Sequence, residues 1–319
     1  MSGGKVAIVG AGLVGSAWAL VFARSGFEVS VFDPSKEVSD RVLGWMAQEL
    51  SSLHDLGLVG NVDEILSRVT LAKTLAEAVE DAIYVQESVF ETVEAKIGIS
   101  MDIDALLPPD ACVGSSSSGI PASKFTAGCR NRERFLIAHP VNPPHLVPVV
   151  ELVPAPWTIP KAVETCRALM ADIGQVPVQL KREVDGFILN RLQGALLNEA
   201  WALYAEGYAD LADIDATVSQ GLGLRWSFMG PFETIDLNAP GGIADYARRL
   251  SPMYHQMALS RRDPAPWSSE TVAAAEKERR QSLKSEDLGE RRRWRDHKLA
   301  QLSAFKTRVF GSAKEPSQS

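Results

Sequence analysis

His139 and Glu151 stand twelve residues apart in Leu136-Ile-Ala-His-Pro-Val-Asn-Pro-Pro-His-Leu-Val-Pro-Val-Val-Glu-Leu-Val153. Each belongs to a short apolar stretch suited to a β-strand, and a proline-rich turn lies between them. Val149-Val-Glu-Leu-Val153 puts a carboxylate where the chain is otherwise destined for burial, and a buried carboxylate needs a partner to offset its lost hydration. A histidine on the neighbouring strand is suitable. The carboxylate would fix the imidazole tautomer and stabilise the imidazolium, which makes a general base. Taken alone, the two read more readily as unrelated residues, with His139 a satisfied core histidine. The rest of the chain decides between these readings.

The elements that would position such a pair begin at the N-terminus. Val6-Ala-Ile-Val9 is a short apolar run bounded by glycine, as in a buried parallel strand. Gly10-Ala-Gly12-Leu13-Val14-Gly15 follows, then apolar residues at helical spacing up to a stop at Gly26, then a second strand, Glu28–Phe32, ending at Asp33. Gly10 permits a tight turn, Gly12 lets a pyrophosphate approach the backbone, and Gly15 lets the helix pack on the strand. The N–H groups opening the helix, around Leu13 and Val14, face the phosphates. Asp33 lies where a carboxylate bonds ribose hydroxyls and repels a 2′-phosphate, and no Arg or Lys follows it directly. The expected cofactor is NAD rather than NADP.

Further strand signals recur at 69–71, 82–85, 111–113, 135–138, 149–153 and 176–180, in the strand–helix rhythm of a parallel sheet. Residues 36–66 read as a helical stretch. From Val184 onward strand signals cease, and helices are expected over 186–206, 211–220 (Asp210 as N-cap, Gly221 as stop) and 229–250. The fold class expected is α/β: a Rossmann-type, doubly wound, mostly parallel sheet over 1–183, followed by an all-helical domain over 184–319. Residues 273–310 mix both charge signs and read as solvated helix, and a disordered tail is expected from about Gly311.

Composition narrows the partners. A net charge of −7 argues against nucleic acid and anionic membranes. Cys112, Cys129 and Cys166 lack disulfide or zinc spacing and read as reduced thiols, so a cytoplasmic protein is expected. Neither a signal peptide nor a membrane-spanning run is recognisable.

These motifs, in this order, resemble the 3-hydroxyacyl-CoA dehydrogenase family from about residue 5 to about residue 300. They are Gly10–Gly15, Asp33, Gln86-Glu-Ser, Gly114-Ser-Ser-Ser-Ser-Gly, Ala138-His-Pro-Val-Asn-Pro-Pro, Val150-Glu-Leu-Val, Gly186-Phe-Ile-Leu-Asn-Arg-Leu and Gly230-Pro-Phe-Glu-Thr. The resemblance implies that His139 is the catalytic base and Glu151 its orienting carboxylate. It implies that Ser118 lies near the reacting oxygen, that Asn190 binds the substrate oxygen, and that Glu91 and Lys96 contact the cofactor. It also implies a homodimer formed through the helical domain. CoA-using relatives usually carry Ser-Asn-Thr-Ser where this chain has Ser115-Ser-Ser-Ser118; one member acting on a free hydroxy acid also replaces that asparagine with serine.

The implied reaction is oxidation of a secondary alcohol, with Ser118 and Asn190 as donors to the developing oxyanion. Without the resemblance, the serine run would be a polar strand end leading into a turn. A hydrolase elbow is excluded because no serine in it is flanked by glycines two residues away on both sides. Asn190 shares a helical stripe with Phe187, Gly194, Leu197 and Trp201, where an unpaired amide costs about 1–3 kcal/mol, so a partner is expected. His145 and His139 lack a third metal ligand, and no metal is expected.

The substrate class follows from charge. A CoA site needs cations for its phosphates, yet residues 37–67 contain Arg41 as their only Lys or Arg, among six acidic residues. Gly221-Leu-Gly-Leu-Arg-Trp226 instead offers Arg225 for a free carboxylate; a structural arginine is the competing reading. A small free 3-hydroxy acid is therefore expected, and the resemblance implies one of the L-gulonate kind. The alternatives are a 3-hydroxyacyl-CoA substrate, carnitine, and a structural or NAD-sensing protein without turnover.

Overall fold

The computed structural model describes residues 3–261 and 266–310. Among the described residues eight strands are formed: β1 (Lys5–Val9), β2 (Glu28–Phe32), β3 (Val69–Leu71), β4 (Ala82–Glu87), β5 (Cys112–Ser115), β6 (Phe135–Pro140), β7 (Val149–Pro154) and β8 (Val176–Gln179). They make one sheet in the order β3-β2-β1-β4-β5-β6-β7-β8. Every neighbouring pair is parallel except β6 and β7. The order reverses direction between β1 and β4, the switch point at which a doubly wound sheet opens a crevice beyond its strand ends. The expected fold class is thus present.

Both faces are covered, which is why the strands read as apolar runs. Val6, Ile8, Val29 and Val31 pack with Trp18, Leu20 and Phe22 from the helix Leu13–Arg24 on one side. Ala7, Val9, Val85 and Val113 pack with Ile103 from the helix Val93–Leu106 on the other.

Among the described residues the chain divides into two compact units. One runs to Arg191 and is rejoined from Arg292; the other is Leu192–Arg291. The first unit therefore includes most of the C-terminal helix Leu288–Phe310, whose Ala300 is buried in the larger core cluster. The regular elements described in the second are all helices.

Several element limits differ from expectation. The 36–66 stretch is two helices, Lys36–Asp55 and Val62–Ser67, parted at Gly57, whose φ of +69° ends the first. The 211–220 helix does not stop at Gly221: after Leu211–Ala216 it continues as a π-helix, Thr217–Leu222, into Gly223–Trp226. Asp210 occupies the N-cap position without a side-chain bond, and Leu211 N donates instead to Glu278 Oε1 at 3.1 Å. The 229–250 helix is broken into Pro231–Leu237 and Gly242–Leu259, where Gly242 has φ +70°. The expected tail, 311–319, lies outside the described residues.

Candidate active site

His139 and Glu151 are register partners across the antiparallel β6–β7 pair. The two residues are 6% and 2% exposed, and His139 Nδ1 lies 2.8 Å from Glu151 Oε2. With Nδ1 committed to the carboxylate, Nε2 is the nitrogen left to take a proton. Glu151 Oε1 accepts from Ile188 N (2.7 Å) and Leu189 N (2.9 Å), at the opening of the helix Leu189–Ala205. Burial opposes ionisation of Glu151. The bonds from His139, Leu189 and Ile188 outweigh it and hold the carboxyl below its ordinary range.

The same helix start carries Asn190, whose Nδ2 donates to the Ser118 carbonyl at 2.6 Å. Ser118 N and Oγ both donate to Glu91 Oε1, at 2.8 and 3.3 Å. Glu91 Oε1 also accepts from Ser117 Oγ (2.8 Å) and Gly119 N (3.1 Å). Partial burial works against the Glu91 carboxylate. The Ser117 hydroxyl, the Lys96 charge and the two backbone donors overcome it and lower its pKa.

The structure thus brings these residues into one unit: His139 meets Glu151, Glu151 meets the backbone just before Asn190, and Asn190 and Glu91 both meet Ser118. Ser118 and Asn190 are exposed. The Asn190 amide keeps a second hydrogen, and the Ser118 hydroxyl can rotate from Glu91 toward another acceptor.

Lys96 stands differently from expectation. Its ammonium is enclosed, 3.1 Å from Glu87 Oε1 and 3.5 Å from Glu91 Oε2, with the residue fully buried. That placement sets Lys96 between two carboxylates, Glu87 and Glu91. Glu87, at the end of β4, also accepts from Val89 N (2.7 Å) and the Ser115 hydroxyl. Sequence reasoning gave Glu87 no role; its signal was an acidic residue closing an apolar strand. Phe187 was missed as well: it is buried, with its ring centroid 5.7 Å from the His139 imidazole. Nothing in its residue type distinguishes it from a core phenylalanine.

The glycine turn fits a dinucleotide. Gly10 has φ +94°, and a Cβ there would lie 2.6 Å from the Ser88 carbonyl oxygen. A Cβ on Gly15 would drive into the Gly10 carbonyl. A Cβ on Gly12 meets nothing within 4 Å, so this backbone faces open space. Gly12 caps the helix Leu13–Arg24 without a side-chain bond, and the N–H groups at Leu13 and Val14 have no intrahelical partner to reach. Asp33 holds the turn: Oδ2 accepts from Ala11 N and Oδ1 from Ser35 N, each at 2.8 Å. Each oxygen keeps capacity for a ribose hydroxyl. Lys36, the nearest downstream cation, is drawn to Asp40 at 2.7 Å.

His145 is turned toward Glu49, with Nε2 3.5 Å from its Oε2. Among the described residues no group of three or more His, Cys, Asp or Glu could hold a metal ion. No described helix is long and apolar enough to cross a membrane. Arg225 lies in the second unit, exposed, on the short helix following the π-helix.

A doubly wound sheet, a glycine turn closed by Asp33 and a His–Glu pair on neighbouring strands are the makings of a nicotinamide-dependent dehydrogenase. Residues 5–184 match the 3-hydroxyacyl-CoA dehydrogenase NAD binding domain and 186–284 the C-terminal domain of the same enzyme family. The chain belongs to the 3-hydroxyacyl-CoA dehydrogenase family, binds NAD, and is an NAD-dependent hydroxy acid dehydrogenase. It is 40% identical over 309 residues to the lambda-crystallin homolog of Mus musculus, covering 95% of this chain and 96% of that one. It is 38% identical over 249 residues to an L-carnitine dehydrogenase of Streptomyces griseus, covering 78% of this chain and 74% of that one. A solved structure, 5-formyl-3-hydroxy-2-methylpyridine 4-carboxylic acid 5-dehydrogenase, described as an NAD+-dependent dismutase, superposes with a TM-score of 0.75 at 27% identity. The match covers 98% of this chain and 99% of that one.

Proposed function

We propose that this enzyme oxidises the 3-hydroxyl of a small free hydroxy acid of the L-gulonate kind to the 3-keto acid, with His139 as base and Glu151 orienting it. The observation that carries this reading is the buried Nδ1–Oε2 contact of 2.8 Å, which leaves Nε2 to receive the hydroxyl proton. Bound NAD supplies the hydride acceptor. On the protein's side, Glu151 keeps the proton on Nδ1 and stabilises the imidazolium formed when Nε2 is protonated. Ser118 and Asn190 donate to the alcohol oxygen as its charge develops. Glu91, fixed by Lys96, sets the Ser118 backbone. Gly12, Leu13 and Val14 present N–H groups to the pyrophosphate, and Asp33 takes the ribose hydroxyls.

The choice of a free acid over a CoA ester is supported by the helix Lys36–Asp55. Its two cations are both engaged locally, Lys36 with Asp40 and Arg41 with Glu37, leaving that surface acidic. The resemblance to family members that act on free hydroxy acids supports it. Carnitine is the second reading, favoured by the relative that bears that name. Arg225 is the residue we assign to the carboxylate, since a guanidinium matches it bidentately. A homodimer is proposed through the helical unit, which leaves Leu224, Phe232 and Leu237 exposed.

The test is NADH formation with L-gulonate, carnitine, 3-hydroxybutyrate and 3-hydroxybutyryl-CoA, for the native protein and Arg225→Met. Turnover of the free acids with KM raised about tenfold or more in Arg225→Met is expected, one carboxylate contact being equivalent to at least about 1.4 kcal/mol. Preference for the CoA ester, or an unchanged KM, would overturn the assignment.

A further inference from the structure

Phe187 adopts φ +51°, in the left-handed region that penalises any residue with a Cβ. Gly186 before it has φ +74°. A glycine would take the Phe187 conformation without penalty, yet a phenyl ring is held there, fully buried. Two consecutive left-handed residues turn the chain sharply between β8 and the helix Leu189–Ala205. The next two N–H groups, of Ile188 and Leu189, then meet Glu151 Oε1 at 2.7 and 2.9 Å.

The ring side of the same residue meets the other half of the pair. Its centroid is 5.7 Å from the His139 imidazole, with the planes at 55°. It also packs in one cluster with Ile137 and Val153, which face each other across β6 and β7. By strand alternation Ile137 shares a face with His139, and Val153 with Glu151. Phe187 is therefore seated on the same face of the same two strands as the proton-accepting pair.

We propose that Phe187 is a positioning residue for that pair: its ring sets the imidazole plane, and the backbone it distorts delivers two N–H donors to the carboxylate. The proposal rests on His139 being the base. Each donor offsets part of the carboxylate charge, so losing one makes the pair take up a proton more readily. The charged neighbour acting on Glu151 is His139 itself, facing it from β6; the donors come from the helix start. The acid limb of the oxidation profile should then move to higher pH.

Two variants of the full-length enzyme separate the two tasks. Phe187→Gly keeps the left-handed turn and loses the ring; Phe187→Leu, which keeps the bulk, replaces it if folding suffers. Leu189→Pro keeps the ring and removes one donor at the first helical position, where proline is accepted. The readouts are the His139 ring titration by NMR and the pH profile of kcat/KM, with NAD affinity as a check on the remaining fold. Phe187→Gly is expected to lower kcat about tenfold or more without moving the titration. Leu189→Pro is expected to raise the titration midpoint and the acid limb together by about one pH unit, the scale of one charge-assisted bond. An unmoved midpoint in Leu189→Pro, or an unchanged kcat in Phe187→Gly, overturns the proposal. Absence of hydroxy acid turnover in the native enzyme would instead defeat the reading of His139 as base, while the titration would still report on the positioning.

Discussion

Replacing Glu151 by glutamine tests the proposed chemistry most directly, because it changes charge and donor pattern while keeping shape. Glu151 accepts three bonds, from His139 Nδ1 and from the N–H groups of Ile188 and Leu189. A glutamine can turn its carbonyl oxygen to the two backbone donors, which leaves its NH2 facing Nδ1. Two donors cannot bond, so the imidazole must move its proton to Nε2, the position that would otherwise accept the substrate proton. Loss of the right tautomer in a His–carboxylate pair costs about 10⁴ in kcat, or roughly 5.5 kcal/mol of transition-state stabilisation. Stability should change far less. Three charge-assisted bonds give way to neutral or broken ones at a loss of about 1 kcal/mol each. Relief of the buried charge offsets part of this, leaving a net loss of about 1–2 kcal/mol. Steady-state NADH formation gives kcat, ¹⁵N NMR of His139 gives the tautomer, and urea unfolding gives the stability. A Glu151→Gln enzyme within tenfold of native kcat, with the proton still on Nδ1, would refute the reasoning.

Other perturbations read different parts of the first unit. Lys96→Met strands the Glu87 carboxylate, a 1% exposed group in an ion pair with an equally buried ammonium; about 3–5 kcal/mol of unfolding free energy should be lost. A loss under about 1 kcal/mol in urea titration would mean that Val89 N and Ser115 suffice. Gly12→Ala adds a Cβ that meets no protein atom within 4 Å, so the melting temperature should hold. NAD affinity should fall about tenfold or more as that Cβ obstructs the pyrophosphate's approach; unchanged affinity by NADH fluorescence would contradict the cradle. Glu151, Glu91 and Asp104 all have lowered pKa values, Asp104 despite burial, through Arg134, Asn131 and the Arg130 N–H. Their stabilisation is complete above the ordinary carboxylate range near about pH 4 and disappears as pH falls through the lower, folded-state values. Unfolding free energy should therefore be level from neutrality to mildly acid pH and then drop, and Asp104→Asn should flatten that drop.

The legible parts of this molecule are those whose signal is local. Gly10, Gly12, Gly15 and Asp33 lie within one strand–helix–strand unit, and their spacing reports the turn directly. The His139–Glu151 pair is less local: its residues alone favour no contact, the resemblance points to one, and the antiparallel joining of its two strands turns the short separation into register pairing. What the sequence withheld is tertiary. Lys96 and Glu87 are charged residues whose burial depends on two elements packing over them. Phe187 resembles any core residue until its backbone angle is known. The stretch expected as one helix over 229–250 is two, parted before Gly242 and running on to Leu259; the periodicity on either side is helical, while Gly242 takes a conformation costly to other residues.

The single antiparallel pairing explains why the proposed base and its carboxylate can coexist. In a wholly parallel sheet each strand delivers its C-terminal end to the crevice, and a mid-strand carboxylate lies away from the chemistry. Here β7 runs back along β6, so Glu151 is interior to its strand and still opposite His139 near the strand end. Its second oxygen is then beside the chain leaving β8, where the sharp turn at Gly186 and Phe187 presents two N–H groups. An ionised carboxylate needs such donors to remain charged when buried. Moving Glu151 by one residue would turn its side chain to the opposite face of the sheet and part it from both. A hairpin that slips by one residue would therefore abolish turnover while leaving the glycine turn, Asp33 and NAD binding intact.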